Sequence, residues 1–143
     1  MTTVLIVEDH PTNRDIIGRR LGKRGFTIRF AVDGLSAIDS VQEIKPDIIL
    51  MDIGLGDGID GCETTRRIKT IPEVAHIPVI ALTASAFETD RQNALSAGCT
   101  DFVDLARLVG QALVALRVLA AQAVSLLWPA ISTAYRSFQV SQA

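Results

Sequence analysis

Three four-residue runs, VLIV (4–7), IILM (48–51) and VIAL (79–82), contain no polar residue, and each gives way at once to Glu, Asp or Thr. They are too short for ordinary helices and lack the in-and-out alternation of a half-exposed strand, so they read as strands buried on both faces. Weaker strand signals lie at TIRFA (27–31) and DFV (101–103). Between these runs the apolar spacing turns helical. Ile16, Ile17 and Leu21 form a stripe that Gly25 ends, and Ala37, Ile38, Val41 and Ile44 form another, stopped by Lys45-Pro46. Residues 64–69 and 90–97, the latter closed by Gly98, supply two more helices. Strand and helix alternate, with a fifth helix expected after residue 104. Such alternation implies a parallel sheet with helices on both faces, joined by right-handed crossovers.

In an open sheet of this kind, ligands meet the carboxyl ends of the strands. There the first strand runs into Glu8 and Asp9, the third into Asp52 and the fourth into Thr83. Three carboxylates converging at one edge repel one another, so the arrangement calls for a bound cation or for one acid that keeps its proton. A hard divalent ion such as Mg²⁺ accepts one or two carboxylates, a carbonyl, waters and a phosphate oxygen. The plain alternative is that such acids face water and cap the following helices.

The stretch GDGIDG (56–61) satisfies the G-x-G-x-x-G spacing of dinucleotide-binding loops. Asp57 and Asp60 would, however, stand beside the pyrophosphate, and the first strand-to-helix turn, where such a loop belongs, reads EDHPTN. Nucleotide binding is therefore not expected.

The residues VEDHPTNR, PDIILMD and IALTA, in this order and spacing, resemble the receiver domain of two-component response regulators, the CheY and DivK-like family. The resemblance covers residues 1–104. It implies a flavodoxin-like (βα)5 fold, a doubly wound five-stranded parallel sheet of order 2-1-3-4-5. It also implies that Asp52 accepts a phosphoryl group from the phosphohistidine of a histidine kinase or histidine phosphotransfer protein. Glu8, Asp9, Asp52 and the backbone carbonyl of Gly54 would hold Mg²⁺, Thr83 would be the switch hydroxyl, and Phe102 the aromatic that swings inward with it. Phosphoryl transfer needs an in-line nucleophile and charge neutralisation more than a general base, and an aspartate is already anionic at neutral pH. The resemblance thus implies no conventional enzyme but a chain that, if the site is active, catalyses its own phosphotransfer and slow autodephosphorylation. A haloacid-dehalogenase-like phosphatase would carry an aspartate two residues after the nucleophile, where Gly54 stands.

Two departures from the receiver pattern matter. The loop after Asp52 has Gly56 where receivers usually carry proline, and Gly61 comes one position late. The extra glycine adds ordering entropy and is expected to loosen access to the site. After strand five, where receivers have Lys-Pro, the chain reads DFVDLARLVG: either Leu105 stands in the lysine's place or a few residues containing Lys-Pro are missing between Asp104 and Leu105, and in both cases no lysine follows Lys69. Arg107 is an imperfect substitute, because Arg and Lys are not interchangeable at a phosphoryl site.

Charge separates the chain into two parts, 1–104 and 105–143. All 16 acidic residues precede residue 105, whereas the remainder carries only Arg107, Arg117 and Arg136. With a net charge of -2 and no basic cluster, direct nucleic-acid binding is not expected. The two cysteines, Cys62 and Cys99, make no disulfide framework and read as packing residues in a reducing cytoplasm. TTVLIVED lacks the basic leader and cleavage site of a signal peptide, so no export is expected.

Asp104 is a candidate N-cap for a long apolar helix running to about Trp128, where Pro129 stops it. Leu105, Leu108, Ala112, Leu116 and Leu119 would cover the sheet, leaving Val109, Leu113 and Val118 for a partner. Homodimerisation through this helix is the first expectation. Insertion into another protein's groove is the second; membrane contact is weaker, because Gln111, Arg117 and Gln122 interrupt the apolar run. The abrupt loss of acids after Asp104 is also what a shifted reading frame would produce. Two functional readings follow. One is a single-domain Mg²⁺-dependent phosphoacceptor whose output passes through protein contacts. The alternative is a pseudo-receiver, an oligomerisation module that keeps the fold without switching.

Overall fold

A computed structural model of the chain describes residues 2–83 and 88–104, except for the side chains of Val103 and Asp104. The elements follow in the order β1 (Thr3–Val7), α1 (Pro11–Lys23), β2 (Thr27–Ala31), α2 (Gly34–Ile44), β3 (Ile48–Asp52), α3 (Gly61–Lys69), β4 (Val79–Thr83), α4 (Glu88–Ala97) and β5 (Asp101–Asp104). The strands are parallel and stand in the order β2-β1-β3-β4-β5, which is the expected topology.

The three apolar runs behave as their composition requires. Residues 4–7, 48–51 and 79–82 are buried throughout, since a parallel strand with helices on both faces has no wet side. Alternation then divides their side chains between two cores. Val4, Ile6, Ile48, Leu50, Ile80 and Leu82 pack with Ile17 and Leu21 of α1. Leu5, Val7, Ile49, Met51, Val79 and Ala81 face the opposite way, against residues of α2, α3 and α4. By contrast, β2 is an edge strand with most of its residues exposed, which explains its weaker apolar signal.

Helix starts differ from the apolar stripes for local reasons. α1 begins five residues before Ile16, at Pro11, whose missing amide costs nothing in a first turn. α3 begins at Gly61 because the Asp60 carboxylate accepts the Glu63 amide at 2.8 Å. α2 starts with a reciprocal cap between Asp33 and Ser36 and ends at Lys45 in the left-handed conformation.

Cys62 and Cys99 are buried and free, in line with a packing role. Burial raises both thiols, Cys99 to about 11, so neither is a ready nucleophile. β5 ends at Asp104, the expected N-cap, and the long apolar helix expected to follow it as far as Trp128, with Leu105 and Arg107 in it, lies outside the described residues. Among the described residues no helix is long and apolar enough to cross a membrane.

The two-sided core predicts unequal costs for the same truncation. Leu50→Ala empties a site that is 0% exposed and should cost about 3 kcal/mol. Leu35→Ala, at a position 59% exposed, should cost under about 0.5 kcal/mol. Urea unfolding of both variants measures the difference, and equal costs would contradict this core assignment.

Candidate functional site

Strand register builds the site. β1 and β3 pair with Val7 opposite Met51, so the next residues, Glu8 and Asp52, arrive side by side at the carboxyl edge. The Glu8 amide remains bonded to the carbonyl of Ala31 at 3.1 Å, which keeps it in line with the sheet. Asp9 follows at the start of the turn into α1. One carboxylate oxygen from each of Glu8, Asp9 and Asp52 lies within 4.8 Å of the others. Glu8 is buried, Asp52 half-buried and Asp9 exposed.

Electrostatics follow from this crowding. Burial first, and then the charge of Asp52, push the Glu8 carboxyl up to about 8, while the His10 amide, donating to Oε1 at 3.0 Å, opposes the shift. Burial also raises Asp52, against the pull of the Gly54 amide, which donates to Oδ1 at 2.8 Å. The hydrogen bond between the two carboxyls raises Glu8 and lowers Asp52, and burial raises both. Glu8, Asp9 and Asp52 are the residues that could hold a divalent ion: the all-oxygen donor set, one member of it exposed, suits a hard cation that keeps some of its water.

Thr83 ends β4 and is buried, 6% exposed, and Asp52 pairs with the preceding Leu82. Phe102 on β5 pairs with Ala81 and lies half-buried against the core shared by α2, α3 and α4. Because residues two apart share a sheet face, Thr83 and Phe102 occupy diagonal positions on that face. Gly54 lies two residues beyond Asp52, tied to it through its amide.

Sequence reasoning missed Arg14. Its Nη1 donates to the backbone carbonyls of Glu8 and Asp9 at 2.9 and 3.1 Å, bracing the turn that carries both acids. An arginine one turn into the helix after an acid pair is the signal that could have revealed it. Lys69 takes no part here. Its Nζ donates to the carbonyls of Ala75 and Ile77 at 2.9 and 2.6 Å, at the amino end of β4. Lys23 and Lys45 end the helices leading into β2 and β3, so all three lysines of the chain lie towards the amino edge of the sheet.

The loop after Asp52 departs from expectation. Far from being loosened by its glycines, it is pinned at Gly54 to Asp52, at Gly56 to Asp9 Oδ2 at 3.0 Å, and at Asp60 to the first turn of α3. A side chain at Gly61 would collide with the backbone carbonyl of Asp52, so α3 sits closer to β3 than any other residue would allow. The Asp60 carboxylate also occupies the helix terminus that a pyrophosphate would need, which agrees with the rejection of a dinucleotide loop.

Comparison with known proteins gives a consistent result. The profile of the response regulator receiver domain matches residues 4–104. Over 101 residues the chain is 37% identical to the polar-differentiation response regulator DivK of Brucella anthropi, covering 71% of this chain and 81% of that protein. The N-terminal domain of a response regulator receiver protein from Methanoculleus marisnigri is similar in structure, with a TM-score of 0.66 and 31% identity over 72% of this chain and 83% of that one. The Mn²⁺-bound form of response regulator Rcp1 gives a TM-score of 0.72 over 90% of this chain and 93% of that one; at 24% identity the likeness bears on the fold alone.

The raised Glu8 carboxyl sets a pH dependence. Its folded value of about 8 stands against an ordinary 4.5, so between those values the folded protein binds more protons than the unfolded chain. Stability from this group is fully present below about 4.5 and is lost as pH rises through about 8. In metal-free thermal unfolding, the Tm of the parent should fall with pH across that window relative to Glu8→Gln, and Mg²⁺ should raise the Tm more at pH 8 than at pH 5. Parallel curves for parent and variant would refute the assignment.

Proposed function

The chain belongs to the response regulator receiver domain family, and on that premise we propose that it is a phosphoryl-accepting signalling domain with Asp52 as acceptor. The observation that carries this reading is the half-buried Asp52 carboxylate at the end of β3, with oxygens of Glu8 and Asp9 within 4.8 Å. Its donor is the phosphohistidine of a histidine kinase or histidine phosphotransfer protein. An Asp52 oxygen attacks phosphorus in line, the phosphorus–nitrogen bond breaks, and the imidazole leaves with the bonding pair. Water later attacks the phosphoryl group and restores the carboxylate, so the signal is self-limiting.

Glu8, Asp9, Asp52 and the carbonyl of Gly54 are the residues that would hold Mg²⁺, and Rcp1, of the same fold, has a Mn²⁺-bound form. When bound, the ion neutralises the phosphoryl oxygens and keeps the acid pair ionised. Arg14 and the His10 amide hold the acid turn in place. The Thr83 hydroxyl bonds a phosphoryl oxygen, and the adjoining position of Phe102 suits it to follow that movement. Output passes through protein contacts, with the apolar segment 105–143 as a homodimerisation or partner-binding element. Two buried, free thiols suit a cytoplasmic setting.

A second reading, a pseudo-receiver that assembles without phosphate-driven switching, draws on the placement of the lysines. None of the three is at the carboxyl edge to pair with a phosphorylated Asp52.

Incubation with acetyl phosphate and Mg²⁺, followed by intact-mass measurement, should give a phosphoryl adduct on the parent and none on Asp52→Asn. Size-exclusion chromatography before and after should show a change in association. Absence of an adduct from folded, Mg²⁺-binding protein would eliminate the phosphoacceptor reading in favour of the assembly module.

A further inference from the structure

The Gly56 amide reaches across 47 positions of chain to donate to Oδ2 of Asp9 at 3.0 Å. A Cβ on Gly56 would stand 3.1 Å from that same oxygen, so any side chain here crowds the carboxylate. Proline, the usual residue at this place in the receiver pattern, has no amide hydrogen to donate. The loop is held on either side of Gly56 by Gly54 on Asp52 and by Asp60 on α3, so the donor is aimed rather than free to wander. One Asp9 oxygen is thus occupied by the loop. Asp9 also offers a carboxylate oxygen to the Glu8–Asp9–Asp52 cluster, and Arg14 fixes the backbone from which Asp9 projects.

We propose that Gly56 is a positioning residue for divalent-metal binding: its amide latches Asp9 into the orientation that serves the metal, and the latch couples the 54–60 loop to metal occupancy. Groups that hydrogen-bond a metal-binding carboxylate from behind orient it and strengthen its hold on the ion. Coupling is reciprocal, so a loop that strengthens metal binding is itself ordered by the metal. The proposal rests on the metal site of the preceding reading and not on its phosphotransfer.

Two measurements test it. In the metal-free protein the Gly56 amide should exchange slowly with solvent, and Asp9→Ala should accelerate it; an exchange rate unchanged by Asp9→Ala would show that the latch does not form. Calorimetric titration with Mg²⁺ at fixed pH should show Gly56→Pro weakening binding about tenfold. Gly56→Ala, which keeps the amide but crowds Oδ2, should weaken it less. Gly58→Ala strains the same loop at a residue with φ of 78°, where an added Cβ meets nothing within 4 Å, and should leave affinity within about twofold of the parent. In an Asp9→Ala background, Gly56→Pro should have no further effect. Parent-like affinity in Gly56→Pro, or an equal loss in Gly58→Ala, would overturn the latch while leaving the metal site intact. A parent that binds no Mg²⁺ would overturn the metal reading and the latch with it.

Discussion

The pairing of Val7 with Met51 is the constraint on which the site depends. It delivers Glu8 and Asp52 to the same sheet edge at a separation where two full negative charges are untenable. Burial and that repulsion raise the Glu8 carboxyl, and the same oxygen cluster is one that could hold a divalent cation. The strands' apolar interiors hold this register firmly, because a one-residue slip would exchange every side chain between the two cores. The energy of hydrophobic burial thus keeps acids together that would otherwise separate.

The backbone around the site is braced in proportion. The amides of His10, Gly54 and Gly56 each donate to one of the three carboxylates, and Arg14 secures the carbonyls of the acid turn. These donors hold the three acids in place, so that a cation, if bound there, would not first have to order its ligands. Glycine enters here through room rather than freedom: Gly61 lets α3 approach the end of β3, and Gly56 leaves space for Asp9.

Much of this was legible in the chain itself. The three apolar runs named the central strands to within a residue, and the acids and threonine that follow them named the carboxyl edge. The loop was misjudged, because glycine content reports the entropy to be overcome and not the contacts that overcome it. Arg14 escaped notice because its role is a reach back to backbone carbonyls, which residue type alone does not disclose. The early start of α3 was hidden for a similar reason: Asp60 acts through a cap, whereas periodicity registers only the buried face.

The sequence by itself determined the order of strands and helices, the burial of β1, β3 and β4 on both faces, and which residues stand at the strand ends. These depend on local composition and period, which a linear chain carries in full. Tertiary structure alone decided that one oxygen from each of Glu8, Asp9 and Asp52 lies within 4.8 Å of the others, that burial beside Asp52 raises the Glu8 carboxyl, and that Gly56 bonds Asp9. It also decided that the lysines sit towards the edge opposite the acids. Each of these depends on distance through space between residues far apart in the chain, and that distance exists only once the sheet has set its register.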